Sequence, residues 1–259
     1  MTQLTQRLRM GRTVTERRVS KDALFGGRVT LFQPAHGTGY RANVDAILLA
    51  AFAAHGGRRA RLAIDLGAGV GAVGMTLFYL QVAERVQFVE KDEFLAELCR
   101  RNVQANQWDA RAVVRVLDLS HDGDIAGGAA LVVANPPYVS PERDGRIRPP
   151  ESVAGRLAAR GGRLAPFVRA AAAVLGRRGR ACFVYPAHAL LELTTLARQS
   201  GLEPKRLRFV HGRAERPARI ALVELVSAKP GGLVVAPPLI EVGNDGKPTA
   251  ELAALLRPP

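Results

Sequence analysis

The stretch Arg61-Leu62-Ala63-Ile64-Asp65-Leu66-Gly67-Ala68-Gly69-Val70-Gly71-Ala72-Val73-Gly74 decides the fold class of this chain. Residues 61–64 predict a buried strand, and the apolar residues 75–80 predict a helix that follows the glycines. Glycines adopt positive φ angles and let a ligand approach the backbone closely. The unpaired N–H groups at the start of the helix add partial positive charge. The stretch therefore predicts a strand, a ligand-binding loop and a helix.

The glycines alone leave two kinds of ligand open. Residues 69–74 satisfy the G-x-G-x-x-G pattern of dinucleotide-binding folds, and Glu90 lies about 20 residues on, where those proteins bind ribose. Asp65 favours a different ligand, because a carboxylate at the end of a strand attracts an ammonium group and repels a pyrophosphate. A nicotinamide or flavin site remains the alternative at this point.

A second motif, Asn135-Pro136-Pro137-Tyr138, follows the apolar run at residues 131–134. The two prolines fix two φ angles and remove two N–H donors. Asn135 precedes a proline and is therefore held in an extended conformation. We predict a stiff elbow that presents the Asn135 side-chain oxygen and the Pro136 carbonyl, with the ring of Tyr138 close by. Two acceptors beside an aromatic ring suit a planar group that carries a free NH2.

Together these features resemble the class I S-adenosylmethionine (SAM) dependent methyltransferases that modify amino groups conjugated to a ring or a carbonyl. The resemblance rests on the acidic residue and glycines of residues 65–71, and on Glu90, Asp118 and the elbow at residues 135–138, each after a predicted strand. It implies an α/β fold with a Rossmann-like, doubly wound sheet of seven mostly parallel strands. It also implies SAM as the cofactor.

The flanking segments are similar to the bacterial valine-tRNA adenine N6-methyltransferases, which modify the adenine immediately 3′ of the anticodon. The resemblance rests on residues 24–28, 33–34, 39–50, 211–219 and 237–239. Directly after Tyr138, however, Val139-Ser140-Pro141 is closer to the protein-glutamine methyltransferases that act on release factors. A glutamine methyltransferase therefore remains an alternative, as do a dinucleotide-binding oxidoreductase and a non-catalytic RNA-binding module.

The resemblance implies that the elbow is the catalytic site. Asn135 and Pro136 would accept hydrogen bonds from the adenine amino group and aim its lone pair at the methyl group of SAM. Pro137 holds the elbow rigid, and Tyr138 would stack on the base, which is worth about 1–3 kcal/mol. No separate base is needed before transfer, because the amine becomes acidic only as the methyl group arrives.

For the cofactor, the resemblance implies that Asp65 binds the methionine ammonium group and that Glu90 binds the ribose hydroxyls. Asp118 would bind the adenine amino group of SAM, and Leu119 would pack on its ring. The other residues predicted to bind the cofactor are Gly67, Ala68, Gly69, Lys91, Asn135, Tyr40 and Asp45.

The composition favours a polyanionic partner. There are 37 Lys and Arg residues against 23 Asp and Glu residues, which gives a net charge of +14. We predict that the partner is tRNA, bound through its anticodon stem-loop. The arginines predicted to contact RNA are Arg143, Arg146, Arg148, Arg213, Arg216 and Arg219.

The two cysteines, Cys99 and Cys182, are predicted to be small core residues. Neither the cysteines nor the histidines have the spacing of metal ligands.

We predict a single methyltransferase domain over residues 22–259, preceded by a basic, disordered tail at residues 1–21. The domain divides into an extension (22–58), a catalytic core (59–230) and a capping tail (231–259). The chain has no apolar run long enough for a membrane span and no apolar signal core at its N-terminus, so we expect a cytoplasmic protein, provisionally a monomer.

The secondary structure predicted from the sequence alternates strands and helices. The predicted strands are 61–65, 85–90, 112–117, 130–134, 180–185, 204–210 and 218–227. The predicted helices are 46–54, 72–82, 92–106, 164–175 and 187–199, with a hairpin at 25–32 and a substrate loop at 139–163.

Overall fold

The computed structural model describes residues 18–35, 42–57, 59–121, 125, 127–137 and 153–257, with the backbone path alone over residues 153–163. Residues 1–17 of the predicted basic tail lie outside the described residues. Five predicted site residues also lie outside them, namely Tyr40, Tyr138, Arg143, Arg146 and Arg148.

A large twisted sheet forms the centre of the molecule, with the strand order β10-β8-β9-β7-β6-β3-β4-β5. Strand β9 is antiparallel to its neighbours β7 and β8, and the other neighbouring pairs are parallel. A separate antiparallel hairpin, β1–β2, precedes the sheet. The strands are β1 (Val19–Leu24), β2 (Val29–Pro34), β3 (Ala60–Leu66), β4 (Ala83–Glu90), β5 (Ala112–Val116), β6 (Ala129–Ala134), β7 (Leu175–Pro186), β8 (Glu203–His211), β9 (Ala218–Val226) and β10 (Val234–Ile240).

Helices cover both faces of the sheet, so the doubly wound architecture is confirmed. Helices α1, α2 and α3, with the hairpin, pack into one hydrophobic cluster, and α4 and α5 pack into a second cluster. No helix of the described residues is long and apolar enough to cross a membrane. The helices are α1 (Val44–Ala53), α2 (Ala72–Tyr79), α3 (Glu93–Ala105), α4 (Val153–Val174), α5 (Leu190–Gln199) and α6 (Ala250–Leu256).

The C-terminal segment differs from the prediction of a capping tail after seven strands. Strand β10 adds an eighth strand, parallel to β8, at one edge of the sheet. Its two prolines, Pro237 and Pro238, argued against a strand in the sequence. An edge strand tolerates prolines because its outward side makes no ladder bonds, and the register shifts between Ala236 and Leu239.

Two further predicted boundaries lie furthest from the structure, and β7 also begins earlier than predicted, at Leu175. Helix α4 begins at Val153, inside the segment predicted as loop. Gly161, Gly162 and Pro166 interrupt its helical pattern, but Leu164 and Val168 pack into the core and outweigh that local preference. The hairpin also begins earlier than predicted, at Val19.

The sheet topology brings the predicted site together. The strand order reverses between β3 and β6, because the chain continues from β3 to β4 and β5 on one side and from β6 to β7 on the other. Open α/β sheets bind ligands at such a switch point, beyond the carboxyl ends of the strands. Here the register pairs Leu66 of β3 with Ala134 of β6, so the glycine loop and the elbow begin side by side.

Candidate functional site

A cavity of about 360 Å³ lies at this switch point. It contains eight of the predicted site residues that the structure describes, including Glu90, Asp118 and Asn135. Residues from α3 and α4 complete its wall. The lining residues are Gly67, Gly69, Val89, Glu90, Lys91, Asp92, Leu95, Leu117, Asp118, Leu119, Ser120, Asn135, Pro137, Pro166 and Phe167.

The glycine loop depends on backbone conformations that favour glycine. Gly67, Gly69 and Gly71 have φ angles of 66°, 56° and 87°. At Gly67 a Cβ atom would also lie 2.5 Å from Cε1 of Phe167, a ring from α4 that covers the loop. Ala68 donates its N–H to the Val89 carbonyl at 2.9 Å, which fastens the loop to the neighbouring strand. A side chain at residue 67 would therefore displace the Phe167 ring from the cavity wall.

Glu90 ends β4 and is held by three backbone N–H groups. Its Oε2 accepts a hydrogen bond from Gly69 at 2.8 Å, and its Oε1 accepts from Lys91 at 2.8 Å and Asp92 at 2.9 Å. The residue is 8% exposed and lines the cavity. The Glu90 side chain therefore lies against the glycine loop and forms part of the cavity wall.

Asp65 also faces the start of α2. It is 1% exposed, and its Oδ2 accepts a hydrogen bond from the Gly74 N–H at 2.9 Å. Burial raises the pKa of the Asp65 carboxyl to about 7, and the nearby Glu90 adds to the shift. Asp65 does not line the cavity, and its carboxyl group fastens the loop to the helix through Gly74; its predicted contact with an ammonium group stays a prediction.

The buried Asp65 carboxyl makes stability depend on pH. Its folded pKa is about 7 against an ordinary value of 3.8, so it favours the folded state below pH 4 and loses that advantage as the pH rises to 7. The free energy of unfolding of the wild-type protein should fall by a few kcal/mol between pH 5 and pH 8, at about 1.4 kcal/mol per pH unit. The fall should be smaller in Asp65→Asn, because the amide does not ionise. Urea unfolding of both proteins at the two pH values measures this difference. A parallel fall in the two proteins would contradict it.

Asp118 follows β5 on the far side of the cavity. Its Oδ1 accepts hydrogen bonds from the Ser120 hydroxyl at 2.6 Å and the Ser120 N–H at 2.9 Å, and its Oδ2 lies 4.0 Å from Lys91 Nζ. The Ser120 bonds hold the pKa of Asp118 below its ordinary value. Leu117 and Leu119 lie on either side of it in the cavity wall. This part of the cavity offers an acceptor beside an apolar surface, as an adenine ring requires.

The elbow closes the cavity from the β6 side. Asn135 is half-buried, Pro136 is buried and Pro137 is exposed, and Asn135 and Pro137 line the cavity. Pro136 does not line it, and Tyr138 lies outside the described residues. The predicted amide thus stands at the cavity, directly beyond the strand that pairs with β3.

Asp45 and Arg219 were predicted for different ligands, but they pair with each other. Asp45 is fully buried, and its Oδ1 accepts from Arg219 Nη2 at 2.7 Å. Glu241 accepts two more bonds from Arg219, at 2.6 and 3.1 Å. Asp45 does not line the cavity, and Arg219 binds two carboxylates, so the predicted contacts of Asp45 with the cofactor and of Arg219 with RNA stay predictions. Arg213 and Arg216 are exposed in the turn after β8.

Sequence reasoning missed the α3 and α4 contributions to the cavity. Leu95, Pro166 and Phe167 have the apolar spacing of ordinary core residues, and that pattern carries no signal that these helices lie against the glycine loop.

Cys99 and Cys182 are fully buried, as predicted, and burial raises the pKa of each thiol. Within the described ranges, no group of three or more His, Cys, Asp or Glu residues has a metal-binding arrangement.

The residues around this cavity match a known family model. Residues 42–150 match the methyltransferase small domain. A curated relative, the tRNA1(Val) (adenine(37)-N6)-methyltransferase of Serratia proteamaculans, is 35% identical over 104 residues, which is 39% of this chain and 39% of the relative. The chain thus spans about two fifths of the length of the curated relatives it matches.

Solved structures share the fold of this chain. A predicted O-methyltransferase from Agrobacterium tumefaciens has a TM-score of 0.62 at 24% identity, over 81% of this chain and 94% of that one. The TYW2 protein of M. jannaschii, solved in complex with AdoMet, has a TM-score of 0.53 at 12% identity, over 82% and 87%. The chain therefore has the fold of these proteins, and the predicted α/β, doubly wound architecture is confirmed.

Proposed function

We propose that this protein is a SAM-dependent methyltransferase that methylates the N6 amino group of an adenine in tRNA. The proposed target is the adenine 3′ of the anticodon of a valine tRNA. One observation carries the proposal: a loop whose N–H groups are held by carboxylates and an Asn-Pro-Pro elbow share one cavity. The name of the curated relatives supports the choice of substrate.

The charges of the cavity favour SAM over a dinucleotide. Glu90 accepts the Gly69 N–H and Asp65 accepts the Gly74 N–H, so two donors that would bind a pyrophosphate are used by acidic side chains. A phosphate at this loop would meet the fixed charge of Glu90, whereas the sulfonium and ammonium groups of SAM would be attracted to it. The glycines at 67 and 69 let the methionine portion approach the backbone.

Side chains on the far wall suit the nucleoside portion of SAM. The Glu90 carboxylate retains acceptor capacity for the ribose hydroxyls, since two oxygens offer about four lone-pair sites. Asp118 would accept a hydrogen bond from the adenine amino group, and Leu117 and Leu119 would contact the ring. Phe167 covers the glycine loop and would help to keep water away from the reacting groups.

The elbow supplies positioning for the substrate amine. SAM supplies the methyl group on its sulfonium. The adenine NH2 would donate to the Asn135 side-chain oxygen and the Pro136 carbonyl, which turns the nitrogen lone pair towards the methyl carbon. When bound, the cofactor would give its methyl group to this nitrogen and leave as S-adenosylhomocysteine, and the amine proton would pass to solvent. Positioning of this kind supplies roughly 7–11 kcal/mol in well-oriented systems.

Calorimetry with S-adenosylhomocysteine and with NADH tests the cofactor assignment. We expect binding of S-adenosylhomocysteine in the micromolar range and no heat from NADH. Tight NADH binding without a signal from S-adenosylhomocysteine would overturn the proposal in favour of an oxidoreductase.

A basic turn supports binding of RNA at the same edge of the sheet. Strand β9 is antiparallel to both β7 and β8, so β8 runs in the same direction as the central parallel strands. The turn with Arg213 and Arg216, which follows β8, therefore lies at the carboxyl edge of the sheet, as the cavity does. Bases in RNA loops are accessible to a protein because they splay out of the stack. The net charge of +14 also favours a polyanion over a release factor.

We expect the double variant Arg213→Ala/Arg216→Ala to weaken tRNA binding and to flatten its salt dependence. The slope of log K against log salt should fall by about 0.7–0.9 for each lost phosphate contact. The matched control is Arg177→Ala/Arg178→Ala, an exposed pair at the start of β7 and therefore at the opposite edge. Filter binding at several salt concentrations measures both slopes. Equal slopes in the two double variants would contradict a specific role for the turn.

A further inference from the structure

Asn102 on α3 connects three parts of the molecule through one side chain. It is fully buried. Its Oδ1 accepts the Phe32 N–H, and its Nδ2 donates to the Phe32 carbonyl at 2.9 Å and to the Val70 carbonyl at 2.9 Å. Both amide hydrogens and the amide oxygen are therefore used. Phe32 belongs to the N-terminal hairpin, and Val70 belongs to the glycine loop.

Asn106, one helical turn later in the chain, binds the hairpin but not the glycine loop. It accepts the Thr30 N–H at 2.9 Å and donates to the Thr30 carbonyl at 2.8 Å. Residues four apart on a helix and two apart on a strand both lie on one face, so the two asparagines pair with β2 as a neighbouring strand would. Only Asn102 continues to the glycine loop, because the further bonds of Asn106 go to Met75 and to the Asn102 carbonyl.

The bond to Val70 ties a carbonyl of the glycine loop to a side chain outside the loop. Ala68, Gly69 and Gly74 are tied to outside partners through their N–H groups, whereas the Ala68 carbonyl accepts a hydrogen bond from Gly71 within the loop. Val70 lies between two glycines with positive φ, where the backbone has the most freedom to move. Without the Asn102 amide, a buried carbonyl loses its partner and the loop gains conformational freedom.

We propose that Asn102 is a positioning residue that couples the N-terminal hairpin to the cofactor-binding loop. Seating of the hairpin on α3 fixes the Asn102 amide, and the amide holds Val70 so that the loop is already in the form that binds the cofactor. This inference rests on the proposed function, since it assigns the loop to SAM. Its consequence is that a residue outside the cavity sets the affinity for SAM.

The matched pair Asn102→Ala and Asn106→Ala tests the coupling. We expect the Kd for S-adenosylhomocysteine and the KM for SAM to rise about tenfold in Asn102→Ala, the effect of losing one buried hydrogen bond and its ordering. The kcat at saturating SAM should stay within about threefold of wild type. Asn106→Ala should leave both constants within about twofold, although each variant loses stability.

Hydrogen exchange gives a second measurement that needs no cofactor. Amides of residues 67–74 should exchange faster in Asn102→Ala than in wild type, and at the wild-type rate in Asn106→Ala. Equal behaviour of the two variants in affinity and exchange would reduce Asn102 to a purely structural role and overturn the coupling. If wild type binds no S-adenosylhomocysteine, the proposed function fails, and the exchange rates alone decide the coupling. If Asn102→Ala does not fold, Asn102→Ser replaces it. The serine hydroxyl can bind one of the backbone groups that Asn102 contacts, but it cannot bridge Phe32 and Val70.

Discussion

Asn135→Ala should reduce methyl transfer by about a hundredfold or more while the affinity for S-adenosylhomocysteine changes little. The amide lies at the cavity and, in the proposed chemistry, orients the substrate amine mainly in the transition state, so its loss should lower kcat. Single-turnover assays with tRNA, together with calorimetry, separate the two effects.

The conservative variant Asn135→Asp keeps an acceptor oxygen at the same position and should retain more activity than Asn135→Ala. Retention of more than about a third of the wild-type rate in Asn135→Ala would show that the amide is structural. The site of chemistry would then lie elsewhere along the carboxyl edge of the sheet.

Glu90→Ala should weaken binding of S-adenosylhomocysteine by about a hundredfold. The change leaves the Gly69, Lys91 and Asp92 N–H groups without their shared acceptor, and it removes the charge that favours a cationic cofactor. Isothermal titration calorimetry measures the loss.

Glu97→Ala is the matched control for Glu90→Ala. Glu97 lies on α3, its side chain is 70% exposed, and it pairs with Arg100 at the surface, so its loss should leave the affinity unchanged. An affinity in Glu90→Ala within about threefold of the control would show that the carboxylate neither shapes the loop nor binds the cofactor.

The sequence is most informative where local chemistry determines the backbone. The β3 strand, the glycine loop and the start of α2 follow the pattern of residues 61–74, and the predicted bounds of β3 lie within one residue of the structure. The elbow is also local, since the prolines restrict their own backbone and that of Asn135. The predicted glycines, Glu90, Asp118 and Asn135 consequently meet at one cavity.

Contacts between distant parts of the chain were not predictable in the same way. Asp45 and Arg219 are 174 residues apart, and neither has a local feature that reveals the other as its partner. Asn102 and Val70 are 32 residues apart and meet because α3 packs beside the glycine loop. Strand β10 forms despite its two prolines, because its pairing with β8 at the edge of the sheet outweighs local preference.

Mass spectrometry of nucleosides from unmodified valine tRNA, incubated with the protein and SAM, tests the central claim most directly. We expect N6-methyladenosine, located by nuclease mapping at the adenine 3′ of the anticodon, and a rate of formation lower by about a hundredfold or more when Asn135→Ala replaces the wild-type protein. A release factor incubated in parallel should gain no methyl group. Unmethylated tRNA beside a release factor methylated on glutamine would contradict the account.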